Sequence, residues 1–137
     1  MNKIKVLHIL SSKTYNGAEN VVCQINSMLQ GTEDNIEIIY CSLDGPVRSH
    51  IEDNRIRFVP VSKISKKEIA HVIRKVKPDI IHAHDMRAGF VATLACGRTP
   101  LVSHIHNNNF DSRGLSLKSV LYLYAAIKAK HIFWVSK

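Results

Sequence analysis

Six short apolar runs rich in β-branched residues recur along this chain, at positions 4–10, 36–41, 56–61, 80–84, 101–105 and 131–135. Runs of that length, apolar throughout and bounded by polar segments, read as strands buried on both faces, since a half-exposed strand would alternate apolar with polar. Between the runs lie segments of helical period. The clearest is KKEIAHVIRKVK at 66–77, where Ile69, Val72, Ile73 and Val76 fall at i, i+3, i+4 and i+7 and share one face. Pro78 stops that helix. Further helices are expected at 18–29, 87–96 and 117–129, with a short helical turn at 47–53. Alternation of strand and helix over the whole chain implies a parallel sheet with right-handed crossovers, a doubly wound, Rossmann-like α/β fold of six strands. A length of 137 residues suits one such domain and not two.

With 45% hydrophobic and 22% charged residues the chain has the composition of a folding domain, which excludes disorder and fibrous repeats. The net charge is +8, with cations gathered in KISKKE, RKVK and the late KAKH. Such a surplus suits an anionic partner, nucleic acid, a phosphosugar or the anionic face of a bilayer, and equally a solvated basic face. The apolar stretch 120–127 is too short to cross a membrane, and the run at 4–10, interrupted by His8, is too short for a signal peptide. Three cysteines, Cys23, Cys41 and Cys96, are widely spaced in apolar surroundings, as reduced core residues of a cytoplasmic protein would be.

In an open parallel sheet, ligands bind beyond the carboxyl ends of the strands where the strand order reverses. For the order 3-2-1-4-5-6 that crevice lies between the first and fourth strands. The segments LSSKTYNGAE, HAHDMRAG and SHIHNNN then carry the chemistry, and half of the eight histidines, His82, His84, His104 and His106, stand in the latter two. Residues i and i+2 of a strand share a face, so His82 pairs with His84 and His104 with His106. The earlier member of each pair is expected deeper in the sheet, satisfied by backbone carbonyls, and the later one nearer the crevice. A metal held by imidazoles of adjacent strands with Asp85 is a competing use of the same residues. Asp85 suits the N-cap of the following helix, and Arg87 in its first turn opposes the helix dipole unless it faces an anion. The first loop, with Gly17 as its one glycine, lacks the spacing of a dinucleotide fingerprint or a P-loop. What remains is a helix start whose amides can take one phosphate.

These residues resemble the amino-terminal half of GT-B-fold glycosyltransferases of family 4. KVLHILSSKTYNGAENVVCQI is similar to that family's opening strand, glycine loop and first helix, and KPDIIHAHDMRAGFVATLA to its fourth strand and following helix. TPLVSHIHN resembles the fifth strand ending in a histidine, and KHIFWVSK the sixth strand ending in Val-Ser. Such enzymes carry two Rossmann-like domains with the active site between them, the first holding the acceptor and the second the nucleotide-sugar donor.

The resemblance implies the acceptor-side domain of an enzyme that moves a sugar from a nucleotide donor to a glycan or lipid-linked acceptor in surface polysaccharide synthesis. It implies His106 at the reaction centre, and Asn16, Gly17, Ala18, His84, Asp85, Arg87 and Asn107 as substrate-binding residues. No cofactor, no metal and no nucleic-acid partner is expected. A peripheral contact with the inner face of the membrane is. Two departures matter. The family's loop often has a glycine pair, and Asn16 takes the first place here, where its tolerance of left-handed angles would preserve the turn. The family's paired glutamates, eight positions apart in the second domain, are absent from this chain. Catalysis is therefore expected only with a C-terminal domain or partner subunit. Two other readings compete: a non-catalytic module binding a sugar nucleotide or a partner, and a histidine-rich metal-dependent hydrolase.

Overall fold

The computed structural model describes residues 2–32, 35–105, 129 and 131–134. Strands β1 (Ile4–Ile9), β2 (Ile36–Leu43), β3 (Arg57–Val61), β4 (Ile80–Ala83), β5 (Leu101–Ile105) and β6 (His131–Trp134) form one sheet in the order β3-β2-β1-β4-β5-β6. Every pairing is parallel. Order and strand count are those expected, and the reversal falls between β1 and β4. The helices are α1 (Gly17–Leu29), α2 (Val47–Asp53), α3 (Lys66–Val76) and α4 (Met86–Ala95). The helix expected at 117–129 lies, but for its last residue, outside the described residues.

Boundaries moved by one or two residues. β2 runs on to Leu43 because β3 continues the ladder beside it, Leu43 pairing with Val61. β4 stops at Ala83, although the His84 N–H still donates to the Ile9 carbonyl at 3.0 Å. α3 opens with the Ser65 side chain accepting from the Glu68 N–H, and closes with Lys77 in the left-handed region at φ 51°, just before Pro78. The proline disfavours helical angles at Lys77, and the left-handed turn lets the Lys77 N–H close on the Ile73 carbonyl at 2.8 Å.

Two clusters fill the core, one on each side of the sheet. α3 and α4 bury Ile69, Val72, Val76, Ala88, Val91 and Ala92 against Leu7, Ile9, Ile39, Ile81, Ala83 and Leu101. α1 and α2 bury Val22, Cys23, Val47 and Ile51 against Leu10, Ile38, Tyr40 and Phe58, all from β1, β2 and β3 or the residue following β1. On that second side no residue of β4 or β5 enters the cluster.

Candidate functional site

The two connections that leave the reversal point are built differently. From β4 the chain reaches α4 through two residues, His84 and Asp85. Asp85 is the N-cap: its Oδ1 accepts from the Ala88 N–H at 2.8 Å. The same carboxylate accepts from the Ser11 N–H at 2.8 Å and from the Ser11 hydroxyl at 2.7 Å, so it straps the loop after β1 to the start of α4. Three bonds to one carboxylate leave it little capacity to act as a base or a metal ligand.

From β1 the chain takes a seven-residue loop, Leu10 to Asn16, to reach α1. Its tip is braced internally, with the Thr14 N–H donating to Ser12 Oγ at 3.1 Å and Asn16 Nδ2 to Thr14 Oγ1 at 2.9 Å. Its flank rests on the loop before α2, where the Val47 N–H donates to the Lys13 carbonyl at 3.0 Å. A Cβ on Gly45 would sit 3.0 Å from that carbonyl, so glycine is needed there for close approach. Glu19, only 2% exposed, turns back to accept from the Asn16 N–H at 2.8 Å, which satisfies the backbone at the helix start.

Asn16 has φ −135°, extended backbone, so the left-handed tolerance invoked for it from sequence is not used. Gly17 is the first residue of α1, its φ is not positive, and a Cβ there would meet nothing within 4 Å. Nothing in the described fold requires glycine at 17. A side chain at 17 would project into open space, and Ala18 beside it is half-buried. Arg87, in the first turn of α4, is exposed, and among the described residues it enters no ion pair.

Behind these loops lies a group of imidazoles. His8 of β1 is in register with His82 of β4, and His82 and His84 share a face by their spacing. The β4–β5 register carries His104 to the same side. His8 Nδ1 and His84 Nε2 are 2.7 Å apart, a hydrogen bond. The His82 and His84 rings stack at 4.1 Å between centroids, His8 and His82 lie at 4.8 Å, and His82 and His104 at 5.5 Å. Burial holds the pKa of His8 well below the ordinary imidazole value, helped by repulsion from His82 and His104, and burial also lowers His104. Both are neutral near pH 7.

Depth in this group reverses the expectation. His84, placed at the crevice from sequence, is fully buried, whereas His82 and His104, placed deeper, are half exposed. Among the described residues, the cover of this side of the sheet is uneven. His84 lies where the Ser11–Asp85 strap closes and bonds to His8, while no described helix packs on β4 and β5 here. The metal reading also changes its membership. One nitrogen from each of His8, His82 and His84 lies within 4.8 Å of the others, and Asp85 is not of the group.

Sequence reasoning placed Asn16, Gly17, Ala18, Asp85 and Arg87 at the reversal point, and the structure brings their two loops together through Ser11. His106 and Asn107 lie outside the described residues. His8, Ser11 and Glu19 were missed. The available signals were a histidine inside an otherwise apolar strand and a glutamate three residues after Asn16.

The sequence pattern described as Glycosyltransferase Family 4 matches residues 15–137. The chain is 26% identical over 141 aligned residues to the UDP-Gal:alpha-D-GlcNAc-diphosphoundecaprenol alpha-1,3-galactosyltransferase of Escherichia coli, which covers 93% of this chain and 36% of that protein. Among solved structures, Anabaena Alr3699/HepE in complex with UDP superposes with a TM-score of 0.72 at 19% identity, over 93% of this chain and 36% of that one. Acinetobacter baumannii MurG superposes with a TM-score of 0.68 at 12% identity, over 99% and 42%. The two superpositions carry the fold. The chain spans a little over a third of the length of the galactosyltransferase it matches.

Proposed function

Since the chain belongs to glycosyltransferase family 4, we propose that it is the acceptor-side domain of an enzyme that transfers a sugar from a nucleotide-sugar donor to a glycan or lipid-linked acceptor in surface polysaccharide synthesis. The observation that carries this reading is Gly17. A glycine at the exposed start of a helix costs stability relative to alanine, and here neither a positive φ nor a close neighbour demands it. In this reading its missing side chain leaves room for the leaving diphosphate to approach the first amides of α1.

In this reading Asn16, Gly17 and Ala18 present backbone to the diphosphate, and the N-terminus of α1 stabilises the negative charge that develops as the glycosidic bond to the donor breaks. Arg87, cationic and in no ion pair among the described residues, adds a second positive group at the neighbouring helix start. Asp85 acts through geometry: by holding Ser11 it fixes the loop that carries Asn16. His106 and Asn107 follow β5 and would meet the donor sugar at the reaction centre. His84, being buried, supports the strap from behind. Catalysis would need a donor-binding domain, whether in the same polypeptide or a partner, and the domain alone is proposed to be inactive.

The basic outer side of α3 gives the domain a means of resting on an anionic bilayer at the cytoplasmic face. Lys63, Lys66, Lys67, Arg74, Lys75 and Lys77 are exposed there, and the nearby Glu68 is engaged by Ser62. No helix among the described residues is long and apolar enough to cross a membrane.

The test is transfer by the natural full-length protein from radiolabelled UDP-galactose and other nucleotide sugars to a GlcNAc-diphosphate lipid. Label in the lipid, abolished by His106→Ala in a folded protein, is the expected result. No transfer from any donor, or unchanged turnover in His106→Ala, would overturn the reading or that residue's place in it.

A further inference from the structure

Imidazoles on one face of adjacent strands are metal-ligand geometry as much as packing geometry. A His-x-His pair on a strand presents two rings to the same side, and a histidine in register on the neighbouring strand supplies a third. His82, His84 and His8 stand in this relation. One nitrogen from each lies within 4.8 Å of the other two. His8 Nδ1 already faces His84 Nε2 at 2.7 Å, so two of the three candidate ligand atoms are turned toward one another. The opposite face of the same strands shows that aliphatic side chains suffice to pack this sheet, so core filling alone gives no reason for three imidazoles.

We propose that His8, His82 and His84 form a binding site for one borderline-soft divalent cation of the Zn²⁺ class. Imidazole nitrogens bind Zn²⁺ at about 2.0–2.1 Å, which sets tetrahedral ligand atoms about 3.3–3.4 Å apart. Closing the spread of 4.8 Å to that value, and opening the His8–His84 contact of 2.7 Å to it, are shifts on the order of 1 Å. Rotation about χ2, a broad torsion in histidine, provides them. His82, half exposed, is the entry side. The fourth position falls to water or to His104, whose ring centroid is 5.6 Å from that of His84. The cation would cross-link β1 to β4 directly behind the Ser11–Asp85 strap. This inference rests on the imidazole geometry and not on the transferase reading.

The test is metal binding by the chelator-stripped 137-residue chain, with Zn²⁺ followed by calorimetry and Co²⁺ by its visible absorption. Expected are one equivalent bound near neutral pH, the intense visible bands of a tetrahedral Co²⁺ site, and a higher thermal midpoint with Zn²⁺. His82→Ala, at a half-exposed position and checked for fold by circular dichroism, weakens binding by at least about tenfold. His71→Ala, on the outside of α3, leaves it unchanged. If His82→Ala does not fold, His82→Gln replaces it with the same expected loss. Absence of stoichiometric uptake by the wild type, or uptake undiminished in the folded His82 variant, overturns the proposal. Sugar transfer is not the readout, so failure of either proposal leaves the other standing.

Discussion

β1, β4 and β5 have two faces that share backbone and neighbours in sequence, yet they are made of different matter. Toward α3 and α4 they present Leu7, Ile9, Ile81, Ala83 and Leu101, none more than 2% exposed. Toward the side of α1 and α2 they present His8, His82, His84 and His104. The first face is closed by two amphipathic helices and has one task, to exclude water. The second is closed over β1 by α1, and among the described residues no helix closes it over β4 and β5. The difference teaches that burial on a parallel sheet demands only apolar volume. A run of imidazoles that costs desolvation marks a surface kept for something other than stability.

The comparison can be broken at several points. The largest effect is expected on the aliphatic face, where Ile81→Ala should cost about 3–4 kcal/mol, read from the midpoint of urea unfolding. A loss no greater than that of an imidazole variant would mean the two faces are equally forgiving. Next is the strap above them. Asp85→Ala removes a helix cap and both bonds to Ser11, and should cost about 2 kcal/mol, with Asp85→Asn recovering part of it. Amide exchange should rise at Ser11 and along the loop to Asn16, while protection in α3 stays unchanged.

Acid comes third, and as pH falls from neutrality it acts first on the imidazole face. His8 is depressed in the folded chain, so the unfolded chain binds the extra proton. Stability is then whole above an unfolded value of about 6.5 and falls by about 1.4 kcal/mol per pH unit per such group below it. A stability profile flat from neutral pH down to pH values well under that figure would show that the face tolerates protonation. The smallest effect is expected for His82→Leu. An apolar side chain beside half-buried Ile80 and Val102 should change unfolding free energy by less than about 1 kcal/mol, in contrast to Ile81 one residue away. A loss comparable to that of Ile81→Ala would make the imidazoles structural.

Much of the fold was legible in the linear pattern. Six β-branched runs separated by helical period predict a parallel sheet, and one common doubly wound order places the reversal between the first and fourth strands, but residue spacing alone does not choose among such orders. The N-cap role of Asp85 was legible because an acidic residue just ahead of a helix start has one usual function. The site was less so. Ser11 gives no local sign that it will meet a side chain 74 positions later. His8 reads in isolation as an interruption of an apolar strand, and its partners arrive only when β4 docks beside β1.

The chain by itself determined which residues are strands, which way each side chain alternates, and that a glycine and an aspartate would open helices at the same edge of the sheet. These follow from period, propensity and capping, all of which act over a few residues. Only the tertiary structure decided that His84 is the buried imidazole and His82 the open one, that Asp85 holds two connections and not one, and that Gly17 faces empty space. Those outcomes depend on which elements cover which half of a sheet face, and cover is a property of packing between segments far apart in the chain.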